Sequence, residues 1–192
     1  MWPIRIAGPL ALLGLFAIAP QLSAAPIALA TAPARSVSLP GAPLDSVFHI
    51  EKSENKNQVH YGVHVDADCR PLGAQPVYAY WREFEKGPHV VSDLLGHELP
   101  AYGLTAPRSI STAAHGGEIH IGLRGFPERP LAIQTGRFGS SCGARAFTTI
   151  QKQPAVLRSI YVKIGFLFSI EYVIVRGLRI ADAAAIEEKV HE

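Results

Sequence analysis

Four side chains in the first alternating part of the chain are of the types that bind zinc-like metal ions. They are His49, Glu51, His60 and His64, and imidazole and carboxylate ligands on neighbouring strands can converge on one ion. Same-face residues four apart on a strand lie about 13 Å apart, so His60 and His64 cannot both bind one ion without a bend. The alternative interpretation is a set of solvent-facing histidines on an exposed sheet face.

An aromatic-rich stretch, Val77 to Arg82, is a second candidate for chemistry. Alternate residues of a strand share one face, and a face of rigid aromatic rings can bind a ligand by stacking and hydrogen bonds. The alternative interpretation is packing, with Trp81 in the core and the tyrosines at its rim. The candidate ligand-binding residues on or near this face are Tyr78, Tyr80, Arg82, Tyr102 and Arg124.

A third candidate is the run Gly139 to Gly143, which has the G-x-S-x-G spacing of a nucleophile elbow. His115-Gly116-Gly117 is similar to an esterase oxyanion loop, and Ser141, Asp182 and His191 follow the chain order of such triads. However, a strand-like run follows the motif where an elbow needs a helix, and too few residues remain for that fold. His191 is also next to the last residue, where chains fray. A Ser141 esterase is therefore the weaker of two enzyme hypotheses.

Composition restricts the class of protein. The chain has 192 residues, of which 48% are hydrophobic and 18% charged, a balance that excludes a disordered chain and suits one core-rich domain. The formal net charge is only +2, and the basic residues are scattered rather than clustered. We therefore expect no nucleic-acid partner.

Residues 1–24 have the layout of a secretory signal peptide. Arg5 precedes an apolar run, Ile6 to Ala19, and small residues follow. The run is shorter than the roughly 20 apolar residues that span a bilayer, so an uncleaved anchor is the less favoured alternative. We expect cleavage after Ala24 or, as second choice, after Ala30. The sequence thus predicts export to the periplasm or extracellular space, with no stable membrane span after cleavage.

The rest of the chain divides into three parts. Residues 25–45 are rich in Ala, Pro and Ser without a usable period and are predicted to be a flexible leader. Residues 46–180 are predicted to form a single β domain, and residues 181–192 a short C-terminal helix or tail.

Two cysteines, Cys69 and Cys142, both follow the export segment. In an oxidising compartment such a pair predicts one disulfide. Closing a loop of about 74 residues would remove roughly 4 kcal/mol of unfolded-state entropy. A reactive thiol or metal ligand is the alternative, although neither a CxxC motif nor a nearby partner supports it.

Period-two alternation predicts strands rather than helices. Val59 to Val65 alternates apolar and polar residues, Phe48 and Ile50 begin the same pattern, and the polar residues 53–57 between them suit a hairpin loop. For both apolar sets to share a face, the paired residue numbers must sum to an odd value. The same register places His49, Glu51, His60 and His64 on the opposite face.

Together these patterns predict an all-β fold, an antiparallel β-sandwich or barrel of about eight strands with one or two short helices. The helices are predicted at Asp93 to His97 and at Ala183 to Val190, and the apolar run Ile164 to Val175 is predicted to be the central hairpin of the core. The further predicted strands are 76–83, 118–124, 130–135, 144–151, 156–164 and 169–176.

The chain resembles the exported bacterial family catalogued as domain of unknown function 4833, over about residues 46 to 178. The resemblance rests on Phe48-His49-Ile50-Glu51-Lys52-Ser53-x-Asn55-x-Asn57-x-Val59-x-Tyr61, then Cys69 and Pro76-Val77-Tyr78-Ala79-Tyr80-Trp81. It implies that Cys142 and the pairs Tyr161-Val162 and Tyr172-Val173 also belong to the shared pattern. It implies no activity.

Two functional hypotheses follow. The favoured one is a non-catalytic envelope domain that binds a small molecule, glycan, lipid or protein through the Tyr78, Tyr80 and Arg82 face. The alternative is an extracytoplasmic metal-dependent hydrolase that uses His49, His60 and His64, and only this alternative requires a cofactor, a zinc-type ion. Convergent ionisable groups in a cleft would favour the enzyme, whereas a smooth apolar pocket or flat aromatic patch would favour binding.

Overall fold

Eleven strands and one short helix make up the part of the chain that the computed structural model describes, residues 39–87, 89–166 and 169–191. The predicted signal peptide and most of the predicted leader lie outside these residues. The elements are β1 (Phe48–Lys52), β2 (Gln58–Val63), β3 (Val77–Arg82), β4 (Val91–Asp93), α1 (Leu99–Tyr102), β5 (Ser109–Ala113), β6 (Gly116–Leu123), β7 (Phe126–Phe138), β8 (Ser141–Ile150), β9 (Gln153–Ile164), β10 (Ile170–Arg179) and β11 (Ala185–Val190).

The all-β fold class is confirmed, and the strands join into one sheet. The path runs β4-β3-β2-β1-β9-β8-β7-β6-β5, with β10 pairing β9 and β11 pairing β10. The prediction of about eight antiparallel strands was wrong in two details, because there are eleven described strands and β1 pairs β9 in parallel. The missed strands are short or exposed, as in β5, so they lack the buried face that produces a period-two signal.

Strand β9 is the branch point of the sheet. Its first half pairs β8, ending at Ala146↔Leu157, and its second half pairs β1 from His49↔Ser159 onward. β10 pairs the opposite edge of β9 along almost its whole length. Where β9 leaves β8, the edge of β8 is taken by Ala42, whose amide donates to the Ala144 carbonyl at 2.8 Å.

The end of the predicted leader is therefore part of the folded domain. Besides the Ala42 bridge, Leu39 is buried with 6% of its surface exposed. The folded domain therefore begins before the boundary predicted at residue 46. The earlier start was missed because residues 39–45 contain too few alternating positions to produce a strand pattern.

The β1–β2 hairpin has the predicted odd-sum register. Phe48 lies opposite Tyr61 and Ile50 opposite Val59. These residues are buried, and the Phe48 and Tyr61 rings stack at 4.4 Å. They join buried residues of β6, β7, β8 and β9 in one hydrophobic cluster, so the inner face of the hairpin forms part of the main core.

Tyr61 shows how a polar group is accommodated in this core. Its hydroxyl donates to the Tyr102 carbonyl at 2.7 Å, which satisfies the phenol and ties β2 to α1. Burial raises the pKa of Tyr61 far above its ordinary value, so the phenol stays protonated.

Both predicted helices were wrong in position or type. Residues Val91–Asp93 form β4, and the one described helix is a single turn at Leu99–Tyr102 with a proline in its first turn. The C-terminal segment is strand β11, because the edge of β10 offers six paired positions from Val173↔Val190 to Leu178↔Ala185. Pairing with an open edge outweighs the helix propensity of the Ala, Glu and Lys residues in that segment, because intrinsic propensity is a small effect that tertiary contacts override.

The apolar run Ile164 to Val175 was correctly predicted as a hairpin but wrongly placed at the centre of the core. β9 and β10 pair from Ile164↔Ile170, and Val175 is fully buried. Phe166 near the tip, however, is 85% exposed. The hairpin thus enters the core at one end and projects from it at the other.

Cys69 and Cys142 form the predicted disulfide, with their Cα atoms 5.4 Å apart. The bond joins the loop after β2 to the start of β8, and so it connects two distant parts of the sheet path. Among the described residues, no helix has the length and hydrophobicity that crossing a membrane requires.

Candidate functional site

Five aromatic rings stack in a row on the outer face of β1, β2 and β3. This ring ladder runs His49–His60–Tyr80–Tyr78–His64, with ring centroids 5.1, 5.8, 6.0 and 4.3 Å apart. The register explains the row, because His49 lies opposite His60 and His60 opposite Tyr80. The histidine face and the tyrosine face predicted as separate surfaces are therefore one surface.

A glycine allows the ladder to continue to its last ring. Gly62 lies opposite Tyr78, and a Cβ added at Gly62 would lie 2.4 Å from the Tyr78 ring. Without a side chain at residue 62, the Tyr78 ring lies across β2 and reaches His64. Any larger residue would displace the tyrosine.

The ladder presents ring edges rather than ring faces. His60, Tyr80 and Tyr78 each have a ring on both sides, at interplanar angles between 19° and 29°. A ligand that stacks on an aromatic ring needs a free face, and here the neighbours occupy the faces of the three inner rings. Burial raises the pKa values of Tyr78 and Tyr80, so both phenols stay protonated at neutral pH.

The ladder is held in place by polar contacts with residues that the sequence patterns did not indicate. The Tyr80 hydroxyl donates to the Asp45 carbonyl at 2.7 Å, and the Asp45 carboxylate pairs with Arg82 at 3.7 Å. His60 is only 5% exposed, and its Nε2 donates to Gln58 Oε1 at 2.9 Å while its Nδ1 accepts from the Ser46 hydroxyl at 2.6 Å. The segment before β1 carried no strand period that would have indicated these contacts.

Burial, followed by the charge of His49, lowers the pKa of His60 to about 4. Burial also lowers the pKa of His49. Both rings are thus neutral at neutral pH, and both nitrogens of His60 already have hydrogen-bond partners.

The four predicted metal ligands do not converge on one point. Glu51 pairs with Arg176 at 2.9 Å, and Tyr78 separates His64 from the other two histidines. Within residues 39–87, 89–166 and 169–191, no group of three His, Cys, Asp or Glu side chains could hold a metal ion. A zinc site would require His60 to give up a hydrogen bond as well.

Two predicted ligand-binding residues lie away from the ladder. Tyr102 is on α1, edge-on to Trp81 with ring centroids 5.4 Å apart. Arg124 is exposed at the turn after β6, where its Nε donates to the Leu104 carbonyl at 2.9 Å. Only Tyr78, Tyr80 and Arg82 of the predicted set share the outer face of β3.

Tyr102 instead lines an apolar cavity of about 300 Å³. Of the described residues around this apolar cavity, Glu54 alone carries a charge, and it pairs with Lys52 at 3.1 Å. Sequence reasoning missed the cavity because its wall combines residues from seven elements and two loops. The lining residues are Ile50, Glu54, Ala101, Tyr102, Leu123, Gly125, Phe126, Ile160, Val162, Ile164, Ile170, Val173 and Val190.

The strands position this wall by period two. Ile160, Val162 and Ile164 are alternate residues of β9, so all three face the cavity. Val173 lies opposite Val162 on one side and Val190 on the other, which places a row of three valines across β9, β10 and β11.

The rim of the apolar cavity is formed partly by α1. Glu54, Ala101 and Gly125 are the exposed members of the lining and mark its open side. A Cβ at Gly125 would lie 2.3 Å from the Ala101 carbonyl oxygen, so glycine at this position lets α1 approach the turn after β6.

A second cavity, of about 420 Å³, is polar and largely satisfied by its own side chains. Glu83 accepts from Ser92 at 2.6 Å and forms an ion pair with Lys86. Trp81 Nε1 donates to Glu98 at 2.9 Å. A ligand here would have to replace existing contacts, whereas a ligand in the apolar cavity would only displace water.

The G-x-S-x-G motif is a hairpin turn. Gly139 has φ +69°, and Ser141 begins strand β8 opposite Phe138, so no helix follows the serine. Asp182 accepts from Arg179 at 2.9 Å and from the Ala184 amide at 3.1 Å. The strand–turn–helix context that an esterase elbow requires is therefore missing.

The fold and cavities define a disulfide-linked all-β domain with an apolar cavity at the β9–β10–β11 end of its sheet. The chain belongs to the family described as Domain of unknown function (DUF4833), whose family model matches residues 48–189. Comparison with curated proteins and with solved structures gave no match.

Proposed function

We propose that this chain is an exported, non-catalytic domain that binds a small hydrophobic molecule in its apolar cavity. The observation that carries the proposal is the cavity itself, about 300 Å³ with one charged residue in its described lining. This volume is at the lower end of the roughly 300–1,000 Å³ of small-molecule sites.

The chemistry of the wall supports an apolar ligand. Transfer of apolar surface out of water contributes roughly 25 cal/mol per Å², and this wall offers aliphatic and aromatic groups from β9, β10 and α1. Tyr102 and Glu54 are the lining residues able to hydrogen-bond through their side chains. They would contact a polar end of the ligand near the open side.

Binding is favoured over catalysis by the arrangement of ionisable groups. Acid–base chemistry requires perturbed groups that meet in a cleft, whereas the lowered pKa values of His49 and His60 belong to stacked, hydrogen-bonded rings on the outer face. Glu54, the one charged residue in the described cavity lining, is already paired with Lys52.

The test uses Nile red, a neutral dye that fluoresces in apolar surroundings. Wild-type protein should enhance its fluorescence in a saturable way, and Val173→Phe should reduce the affinity at least tenfold by filling the cavity. Ile174→Phe is the matched control, because Ile174 is the next residue of β10 and lies outside the cavity lining. Equal binding by both variants, or no binding by the wild type, would refute the proposal.

Export and the outer face are separate proposals with separate tests. The mass of protein recovered from outside the cytoplasm should correspond to a chain beginning at residue 25 or 31. An intact N-terminus would refute signal-peptide cleavage. The ligand-binding role predicted for Tyr78, Tyr80 and Arg82 stays a prediction, and native mass spectrometry of Tyr78→Ala would test it through loss of a co-purifying adduct.

A further inference from the structure

Two arginines lie on neighbouring strands at the branch of the sheet. The β8–β9 pairing ends at Ala146↔Leu157, and Arg145 and Arg158 are the next residue on each strand, with Arg158 at a β-bulge of β9. Both side chains are half-buried. Within the described residues, neither arginine forms a salt bridge with an acidic side chain. Like charges on neighbouring strands repel each other, and no acidic side chain of the described residues neutralises these two arginines.

Arg145 has an unsatisfied donor. Its guanidinium carbon lies 4.5 Å from the centre of the Phe138 ring, which fixes the plane of the group. Its Nε is buried and has no hydrogen-bond partner among the described residues. Buried donors without a partner are rare in native proteins and indicate a missing acceptor. Burial, followed by the charge of Arg158, lowers the pKa of Arg145.

The acidic residue in register with Arg145 across β7, Glu118, is already occupied. Gln134 of β7 lies opposite Arg145, and its Nε2 donates to Glu118 Oε2 at 2.8 Å. The other oxygen of Glu118 contacts His120 Nε2 at 2.6 Å. Glu118 is thus separated from the arginine pair by Gln134 and engaged at both oxygens.

We propose that the arginine pair binds the phosphate group of a ligand. A phosphate monoester carries about −1.5 to −2 charges at neutral pH, which matches two guanidinium groups. Guanidinium donors bind phosphate oxygens in bidentate pairs, and one such contact would satisfy Arg145 Nε. A soluble phosphate ester and a lipid phosphate headgroup share this chemistry. The proposal uses a site distinct from the apolar cavity and does not depend on it.

The test compares thermal unfolding in inorganic phosphate and in chloride at equal ionic strength. Phosphate should raise the melting temperature of the wild-type protein, and the increase should disappear in Arg145→Gln and in Arg158→Gln. Arg108→Gln is the matched control, because Arg108 is exposed and forms no salt bridge in the described residues. Without phosphate, Arg158→Gln should melt at the same temperature or higher, because it removes a like-charge contact; this shows that the variant folds.

A second arm identifies the source of the phosphate. Vesicles of phosphatidylcholine with phosphatidic acid are compared with phosphatidylcholine alone in a flotation assay. Binding to phosphatidic acid that both variants lose assigns a lipid headgroup, whereas a phosphate shift without vesicle binding assigns a soluble phosphate ester. The absence of both responses in the wild type, or an equal loss in Arg108→Gln, would overturn the proposal.

Discussion

Neighbouring residues of β1 contribute to two very different surfaces. His49 begins the ring ladder on the outer face, and Ile50 lines the apolar cavity on the inner one. The ladder is rich in histidine and tyrosine, residue types that are common in binding sites. Its inner rings nevertheless cover one another, and His60 already hydrogen-bonds to Ser46 and Gln58. The apolar cavity contains ordinary aliphatic side chains and leaves unfilled volume.

The difference shows that residue type alone does not identify a binding surface. An aromatic ring can bind a ligand only through a free face or edge, and a hydrogen-bonding group only through an unused donor or acceptor. By that criterion, the apolar cavity offers unfilled volume and Arg145 an unused donor, whereas the inner rings of the ladder offer only their edges.

The largest expected effect is the loss of the Cys69–Cys142 disulfide, which ties the loop after β2 to β8. Replacing both Cys69 and Cys142 by Ser removes a cross-link with a sequence separation of 73 residues. We expect the free energy of unfolding to fall by roughly 4 kcal/mol, since the unfolded chain regains loop entropy. Urea unfolding with and without a reducing agent measures it. An unchanged urea midpoint after reduction would contradict the prediction.

Ile160→Ala tests whether the apolar cavity is both part of the core and the ligand-binding site. Ile160 is 2% exposed and lines the apolar cavity, so truncation should cost about 2–4 kcal/mol through lost burial and added void volume. Saturating Nile red should restore part of the loss by mass action. Ile110→Ala on exposed strand β5 is the matched control and should change stability by less than about 0.5 kcal/mol. If dye restores nothing, the cavity and the binding site are not the same place.

The histidines of the ring ladder are expected to make the stability of the protein depend on pH. The pKa of His60 falls from 6.5 to about 4 on folding, and the pKa of His49 is lowered in the same direction. Below pH 6.5 the unfolded chain therefore binds protons that the folded protein does not, so stability falls as the pH drops toward about 4. His60→Gln should show a shallower fall in melting temperature over this range. Parallel profiles for the two proteins would mean that His60 is not held neutral by the fold.

Strong local patterns made much of the fold predictable. The alternation from Val59 to Val65 and at Phe48 and Ile50 determined the register of β1 and β2, because a one-residue slip would expose both apolar sets. The C-terminal strand β11 was missed because its pairing depends on the open edge of β10, a contact that its own sequence does not encode.

The candidate sites were predictable only in part. Strand periodicity predicted that the histidines share one face and that Tyr78 and Tyr80 share another, but it did not predict that the two faces form one surface. The apolar cavity and the arginine pair depend on the branch of β9 and on its parallel pairing with β1. Parallel pairing joins segments far apart in the chain, so no local spacing indicates that Ile50 and Ile160 are neighbours.

The smallest expected effect separates an ion pair from a metal site at the edge of the ladder. Glu51→Gln removes the contact with Arg176, but Arg176 keeps Glu187 at 3.4 Å, and all three side chains are partly exposed. The loss should therefore be less than about 1 kcal/mol. A zinc ligand at Glu51 would behave differently, because zinc would raise the melting temperature of the wild type and the variant would lose that increase. We expect zinc to shift neither protein, since both nitrogens of His60 are engaged by Ser46 and Gln58. If zinc raised the melting temperature of the wild type but not of Glu51→Gln, the outer face would bind metal, and the ring ladder would be a ligand site rather than a set of mutually covered rings.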